Sequence, residues 1–238
     1  MAVTGIVRND LRFTCERLIP VTGDICKIFL KPEQETIPYL PGQYVQVKLS
    51  ADLYLPLSIA NLPQNDGLLE FHLRHNSAHP LAQVFYQQVQ DNREIRLKGP
   101  FGQFTRHRGF GKRWLFLAGG TGFAPIKAVL SDLFAQEKVP SVHLFWGVKD
   151  PQDCYEQDIL AQWESAFGLT YDLVLSKPGR DPHWIGKTGW VHGALAETYP
   201  DLSHKCVFAC GPYEMIKAAQ KLFLRLGLAE NAFISDVT

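Results

Sequence analysis

The chain has 238 residues, with 24 Lys+Arg against 24 Asp+Glu, 46% hydrophobic residues and 12% aromatic residues. At roughly 100–200 residues per domain, that makes one large domain or two modest ones, either with enough apolar mass for a core. A formal net charge of zero argues against a nucleic-acid binder, which needs a basic surplus against phosphates, and the aromatic-rich composition argues against disorder.

In chain order, the N-terminal Met-Ala-Val-Thr-Gly lacks the basic and apolar regions of a signal peptide. Short strands follow at Gly5–Asp10, Phe13–Leu18, Ile25–Lys31, Gln43–Leu49, Tyr54–Ala60 and Leu68–Arg74, separated by turn signals such as Thr22-Gly23-Asp24 and Pro38–Gly42. Apolar and polar residues alternate in Tyr44–Leu49 and Phe71–Arg74, the period of a strand with one buried face. Closely spaced short strands predict an antiparallel barrel or sandwich. One helix interrupts them, His79–Val89, with Leu81, Val84, Phe85 and Val89 at helical spacing.

Beyond residue 110 the rhythm becomes strand–helix–strand. Trp114–Ala118 is a continuous apolar run, as a parallel strand buried on both faces requires. The uncharged stretch around it, Trp114–Ile126, is broken by three glycines and Pro125 and is too short to span a bilayer, which takes about 20 apolar residues. Pro125 suits the first turn of a helix reaching about Gln136. The pattern repeats as strand Val142–Trp146, helix Asp153–Phe167, strand Tyr171–Leu175, a helix after Trp190, strand Cys206–Cys210, helix Tyr213–Leu226 and strand Ala232–Val237. Five strands alternating with helices make an open, doubly wound α/β sheet. The border falls in Thr105–Lys112, dividing the chain into 1–108 and 109–238. Five scattered cysteines, an odd number, fit reduced thiols in a cytoplasm.

Gly119-Gly120-Thr121-Gly122 follows the first strand of the second half and opens its first helix. Glycines there let the backbone turn tightly and approach a bound group, while the helix start favours negative charge, so the loop reads as a nucleotide phosphate site or as a tight turn. The spacing G-x-G-x-A-P is not the full dinucleotide fingerprint, and a P-loop is excluded. Cys210-Gly211-Pro212 ends the fourth strand of that sheet and should line the same crevice. No His within the motif would activate Cys210 as a nucleophile. His72, His75 and His79 straddle a strand, a loop and a helix start, and no metal site is expected of them. The cysteines lack the spacing of a plant-type iron–sulfur domain. Arg106-His107-Arg108 and Lys112-Arg113 read as a solvated basic junction, with nucleotide phosphates or an acidic redox partner as the other reading.

With Leu55-Pro56-Leu57-Ser58-Ile59-Ala60-Asn61 on a strand of the first half and Gly99-Pro100-Phe101-Gly102 closing it, the combination resembles the ferredoxin–NADP⁺ reductase superfamily, closest to its NAD(P)H–flavin oxidoreductases. The resemblance implies a flavin-binding β-barrel followed by an NAD(P)-binding α/β domain, with flavin (riboflavin, FMN or FAD) and NADH or NADPH as cofactors. It implies that Ser58 hydrogen-bonds flavin N5, with Pro56, Leu57, Ile59 and Ala60 beside the ring and His72 and Arg74 on the same flavin side. Gly119, Gly120, Thr121, Gly122 and Pro125 would hold the nicotinamide nucleotide, with Cys210, Gly211 and Pro212 near the nicotinamide. Tyr155 matches a position that approaches the adenosine half, and Asp236 one near the flavin.

Where the family carries an arginine for the flavin phosphate this chain has Leu55, and its aromatic position is Leu57. A leucine offers no charge-assisted hydrogen bond, so FMN and FAD are weakened more than riboflavin. Either flavin is a loosely held substrate, or another feature, such as Arg74 or the helix start near Ser77, holds the phosphate. The implied activity is flavin reduction by NAD(P)H in a cytoplasmic enzyme. The alternative is a reductase component that keeps its flavin and feeds a separate protein acceptor. Lys177 and Arg180 lie where a 2′-phosphate would be met, but Asp181 follows at once, so the choice between NADH and NADPH stays open.

Overall fold

The computed structural model describes residues 7–91, 93–136, 138–177 and 183–236. Two six-stranded sheets organise it, the first antiparallel and the second parallel.

The first sheet contains β1 (Arg8–Pro20), β2 (Ile25–Pro32), β3 (Tyr44–Lys48), β4 (Tyr54–Ser58), β5 (Leu69–Arg74) and β6 (Ile95–Phe101), in the order β4-β3-β6-β1-β2-β5. The two edge strands approach each other as in a barrel: the Ala60 N–H donates to the Glu70 carbonyl at 2.8 Å. Asn61 stitches the same junction. Its side-chain amide donates to the Leu68 carbonyl at 2.8 Å, and its side-chain oxygen accepts the Glu70 N–H at 2.9 Å. Alternating residues Phe13, Ile28, Leu30, Val45, Val47, Phe71 and Leu97 fill the interior.

Two expectations are corrected here. The segments read as separate strands, Gly5–Asp10 and Phe13–Leu18, form one strand over their described part. Asp10, with φ of 57°, and a register shift between Arg8 and Leu11 supply the interruption that looked like a turn. The strand Ile95–Phe101 went unread, its apolar–polar alternation masked by Gly99-Pro100. Helix α1 (Pro80–Gln90) buries Ala82, Phe85 and Val89 and leaves Val84 on the exposed side, so its inner face is turned from the predicted one.

The second sheet runs β10-β9-β8-β7-β11-β12, built from β7 (Arg113–Gly119), β8 (Ser141–Val148), β9 (Thr170–Leu175), β10 (Lys187–Thr188), β11 (Cys206–Cys210) and β12 (Phe233–Ile234). Its continuous apolar strands serve two cores. Phe116, Leu144, Trp146 and Phe208 face α2 (Phe123–Phe134) and α3 (Gln157–Phe167), while Leu115, Leu117, Phe145 and Val207 face α4 (Val191–Thr198) and α5 (Tyr213–Arg225). The edge strand β10 adds a sixth strand to the five expected. The helix read from Asp153 begins at Gln157, after a short 3₁₀ turn at Pro151–Asp153. The last strand is two residues long, not Ala232–Val237, and Val237 lies outside the described residues. No helix among the described residues is long and apolar enough to cross a membrane.

Candidate functional site

Strand order reverses at β7, and in such sheets ligands bind beyond the carboxyl ends of the strands at that point. Gly119 ends β7 and Cys210 ends β11, and these strands are neighbours with Ala118 opposite Cys210. The two turns therefore pack directly on each other. A Cβ on Gly122 would lie 2.3 Å from the Cys210 carbonyl oxygen, and one on Gly211 would lie 2.9 Å from the Gly119 Cα. Gly120 differs: it has φ of +53° and open space on its outer side. Trp146, at the end of β8, fixes the loop by donating its indole N–H to the Gly120 carbonyl at 2.9 Å. The loop is a 3₁₀ turn running straight into α2, whose first turn contains the buried Pro125. This is bare backbone presented to a ligand above a helix start, a fit for a nucleotide phosphate.

Across from it, a cleft of about 450 Å³ is lined by Leu55, Leu57, His72, Arg74, the start of α1 from Ala78 to Ala82, and Thr121 of the glycine loop. Its size lies within the range of about 300–1,000 Å³ usual for small-molecule sites. Leu55 and Leu57 share one face of β4, which is why both reach the cleft, whereas Pro56 points to solvent on the other. Ile59 and Ala60 are buried. Ser58 ends β4 opposite Tyr44, and its hydroxyl has no partner among the described residues.

Tyr44 packs on Phe101 with ring centroids 5.6 Å apart. Beside them Asp236 crosses from the second half, its carboxylate accepting the Gln103 N–H at 2.7 Å and the Phe104 N–H at 3.3 Å. Burial pushes the Asp236 carboxyl up, against the pull of those two N–H groups. Burial, with the Asp236 charge nearby, pushes the Cys210 thiol up to about 12. A thiol held protonated at neutral pH is a poor nucleophile, as the absence of an adjacent His in its motif implied.

The floor between the halves is a network of charges. Arg74 is held by Asp24 at 3.0 Å and Asp153 at 2.7 Å. The Lys127 ammonium lies 2.6 Å from Glu70 and 3.4 Å from Glu156, and Lys27 lies 2.7 Å from Glu156. His72 is fully buried between Glu70 at 2.9 Å and the Tyr155 hydroxyl at 2.8 Å. Burial pushes the His72 pKa down. Burial would raise that of Glu70, but hydrogen bonds and charge from His72 and Lys127 hold it at about 2. An ionised Glu70 accepts the Nε2–H of His72, which leaves Nδ1 to accept the Tyr155 hydroxyl proton. Donor atoms of Glu70, His72 and Glu156 lie within 4.8 Å of one another, the spacing of a metal triad, but two ammonium groups supply the positive charge there.

Several expected residues are thus placed otherwise. Arg74 lines the cleft with its guanidinium already paired to two carboxylates, which removes it as a free phosphate anchor. The Tyr155 hydroxyl is engaged by His72 in the seam. His75 stacks on Tyr86 at 3.8 Å, apart from His72. Arg106 pairs with Asp132. Arg180 and Asp181 lie outside the described residues. Lys27, Glu70, Lys127, Asp153 and Glu156 were missed. Their lysine and arginine pairings span 29 residues or more, and a lone buried-looking Glu70 in an apolar strand was their only local signal.

Residues 17–106 match the model of the oxidoreductase FAD-binding domain and residues 116–221 that of the oxidoreductase NAD-binding domain. The chain belongs to the ferredoxin–NADP⁺ reductase superfamily. This oxidoreductase is 37% identical over 91% of its length to a CDP-6-deoxy-L-threo-D-glycero-4-hexulose-3-dehydrase reductase of Yersinia pseudotuberculosis, of which it spans 65%. It is 28% identical to a probable flavin reductase of Aliivibrio fischeri, with 86% of each chain covered. Among solved structures it superposes on a cytochrome P450 reductase of Amycolatopsis with a TM-score of 0.84 at 24% identity, covering 98% of this chain and 70% of that one. A ferredoxin NADP⁺ reductase of Neisseria gonorrhoeae with bound FAD and NADP gives 0.78 at 18%, covering 93% of each. Its cofactors are a flavin and NAD(P)H, and the cleft and glycine loop fit them.

Proposed function

We propose that the chain is an NAD(P)H-dependent flavin reductase whose flavin is a loosely held substrate, reduced and released, with the barrel ending near residue 108 and the nucleotide domain beginning at 109. The observation that carries this reading is the cleft wall: Leu55 stands where the family's phosphate-binding arginine would be, and the nearby Arg74 is neutralised by Asp24 and Asp153. Phosphate contacts that elsewhere contribute about 1.5–3 kcal/mol each are missing. Leu55 and Leu57 would hold the isoalloxazine by apolar packing instead, with the start of α1 as the remaining anion-favouring feature. The likeness to a probable flavin reductase over 86% of each chain supports it. A cytoplasmic setting, where free thiols stay reduced, suits its five unpaired cysteines.

A bound flavin supplies N5 as the hydride acceptor and the nicotinamide supplies C4–H as the donor. The protein aligns the two and excludes water. The glycine loop and the Cys210-Gly211-Pro212 turn seat the nucleotide with backbone. Ser58 would offer its free hydroxyl to N5, the neutral Cys210 thiol would stand at the nicotinamide end, and Asp236 would close the seam behind it. No general acid or base is required.

The 37% identity to a dehydrase reductase favours a second reading, in which flavin stays bound and electrons pass to a protein acceptor. Visible absorption of the purified protein, followed by NADH or NADPH oxidation with added riboflavin, separates the two. A colourless protein that turns over riboflavin supports the proposal. A yellow protein retaining one FAD or FMN per chain, active only with a protein acceptor, overturns it.

A further inference from the structure

The seam beneath the cleft is crossed by a cluster of polar links, and they run in both directions. The barrel contributes the cations Lys27 and Arg74 to the partners Glu156 and Asp153, and it contributes Glu70 to Lys127. His72 of β5 meets Tyr155 of the other half. Glu70, Glu156 and Asp153 are 9%, 10% and 3% exposed, and Lys127 is 13% exposed, so these charges are held away from solvent and hold one another.

Lys127, like Arg74, meets carboxylates from both halves, but it is the one of these two cations that stands in the nucleotide half. It sits one turn beyond the start of α2, on the rigid segment that continues from the Gly119–Gly122 loop. Its partner Glu70 lies two residues before His72, a wall of the flavin cleft, on the same strand. A short and stiff path therefore connects the cradle of one cofactor to the wall of the other, closed by a single ion pair of 2.6 Å. Hydride transfer demands reacting atoms about 3–3.5 Å apart, and a misplacement of about 1 Å costs on the order of 100-fold.

We propose that Lys127 is a positioning residue for hydride transfer: its ion pair with Glu70 sets the distance between the nicotinamide and flavin seats. The proposal rests on the reading that hydride passes between the two halves.

The test uses the full chain. Lys127→Gln is expected to slow single-turnover flavin reduction by NADH about 10–100-fold. The dissociation constants of riboflavin and NAD⁺, measured separately, should stay within about twofold, and Lys127→Arg should restore the rate. A second readout needs no cofactor. Amide exchange of Gln103 and Phe104, whose N–H groups are held across the seam by Asp236, should quicken in Lys127→Gln and return to normal in Lys127→Arg. If Lys127→Gln does not fold, Glu156→Gln loosens the same junction and should show the same pair of changes in milder form. Unchanged exchange, or faster exchange with an unchanged reduction rate, overturns the proposal. A wild-type protein that reduces no flavin overturns the functional reading instead, and the exchange data still report whether Lys127 holds the seam.

Discussion

On the nucleotide wall of the cleft, the residues that matter are glycines, and what they contribute is the room their missing side chains leave. Gly122 and Gly211 let two turns touch backbone to backbone, and Gly119 leaves room for the side chains of Pro212 and Met215. On the barrel wall the contributions come from side chains, and there Leu55 and Leu57 depart from the family's arginine and aromatic residue. The first wall tolerates no side chain at Gly122 or Gly211, because the contacts there are steric and local. The second can change its ligand preference at some cost in packing, because Leu55 and Leu57 are half-buried against the barrel core while the backbone of β4 stays paired with β3.

Substitutions within one loop give the largest expected contrast. A Cβ at Gly122 would sit 2.3 Å from the Cys210 carbonyl oxygen and 2.6 Å from its carbon, where neither backbone can yield. Gly122→Ala should cost about 3–5 kcal/mol in urea unfolding and abolish NAD⁺ binding. Gly120→Ala meets open space and only the left-handed φ of +53°, so it should cost about 1 kcal/mol. Equal losses at the two positions would remove the steric account of the loop.

Next in size is the response of the seam to acid. Glu70 is held at about 2 against an ordinary value of 4.5, so the unfolded chain binds its proton first and stability falls as pH drops from 4.5 toward 2. The lowered His72 pKa acts in the same sense below 6.5, since the unfolded histidine protonates before the buried one. Urea midpoints should therefore decline from pH 6.5 downward, with about 3 kcal/mol of Glu70's contribution gone near pH 2. In Glu70→Gln the part of that decline below pH 4.5 should flatten. A slope unchanged by that substitution would place the acid sensitivity elsewhere.

The same contrast explains what the sequence disclosed. Most strands of both sheets, though not β6 or β10, together with the glycine loop and the Cys210 turn, were legible because they are written in consecutive residues: strand alternation, apolar runs and positions that only glycine fits. β11 was read with its observed ends, Cys206 and Cys210. The seam was not legible, since Glu70 and Lys127, or Lys27 and Glu156, are brought together only by the packing of two independently patterned halves. The pairing of Arg74, one of the alternatives for holding a flavin phosphate, was hidden for the same reason, because its partners Asp24 and Asp153 lie 50 and 79 positions away. The long β1 was divided because a single left-handed residue, Asp10, looks like a turn when only composition is visible.

The barrel wall can be altered at Leu55, which is half-buried against the barrel core as well as lining the cleft. Leu55→Arg places a guanidinium in the cleft near the start of α1, where a flavin phosphate would lie. Tightening of FMN by about 1.5–3 kcal/mol, or roughly 10–100-fold, is expected, with riboflavin affinity changed little. Fluorescence titration of the two flavins measures the difference. Equal changes for both would mean that the phosphate does not reach this wall.

Ser58 carries the smallest expected effect and the most local one. Its hydroxyl ends β4 with no other partner among the described residues, so its removal leaves no buried group unsatisfied and should shift the urea midpoint by less than about 0.5 kcal/mol. If it donates to N5, Ser58→Ala forfeits one hydrogen bond that matters as hydride arrives, worth about 1 kcal/mol or roughly 5–10-fold in the reduction rate at saturating flavin. Ser58→Thr keeps the hydroxyl and should recover most of it. An unchanged rate in Ser58→Ala would leave alignment entirely to the backbone of the glycine turns and to the ion pairs of the seam, and the barrel wall would then act by shape alone.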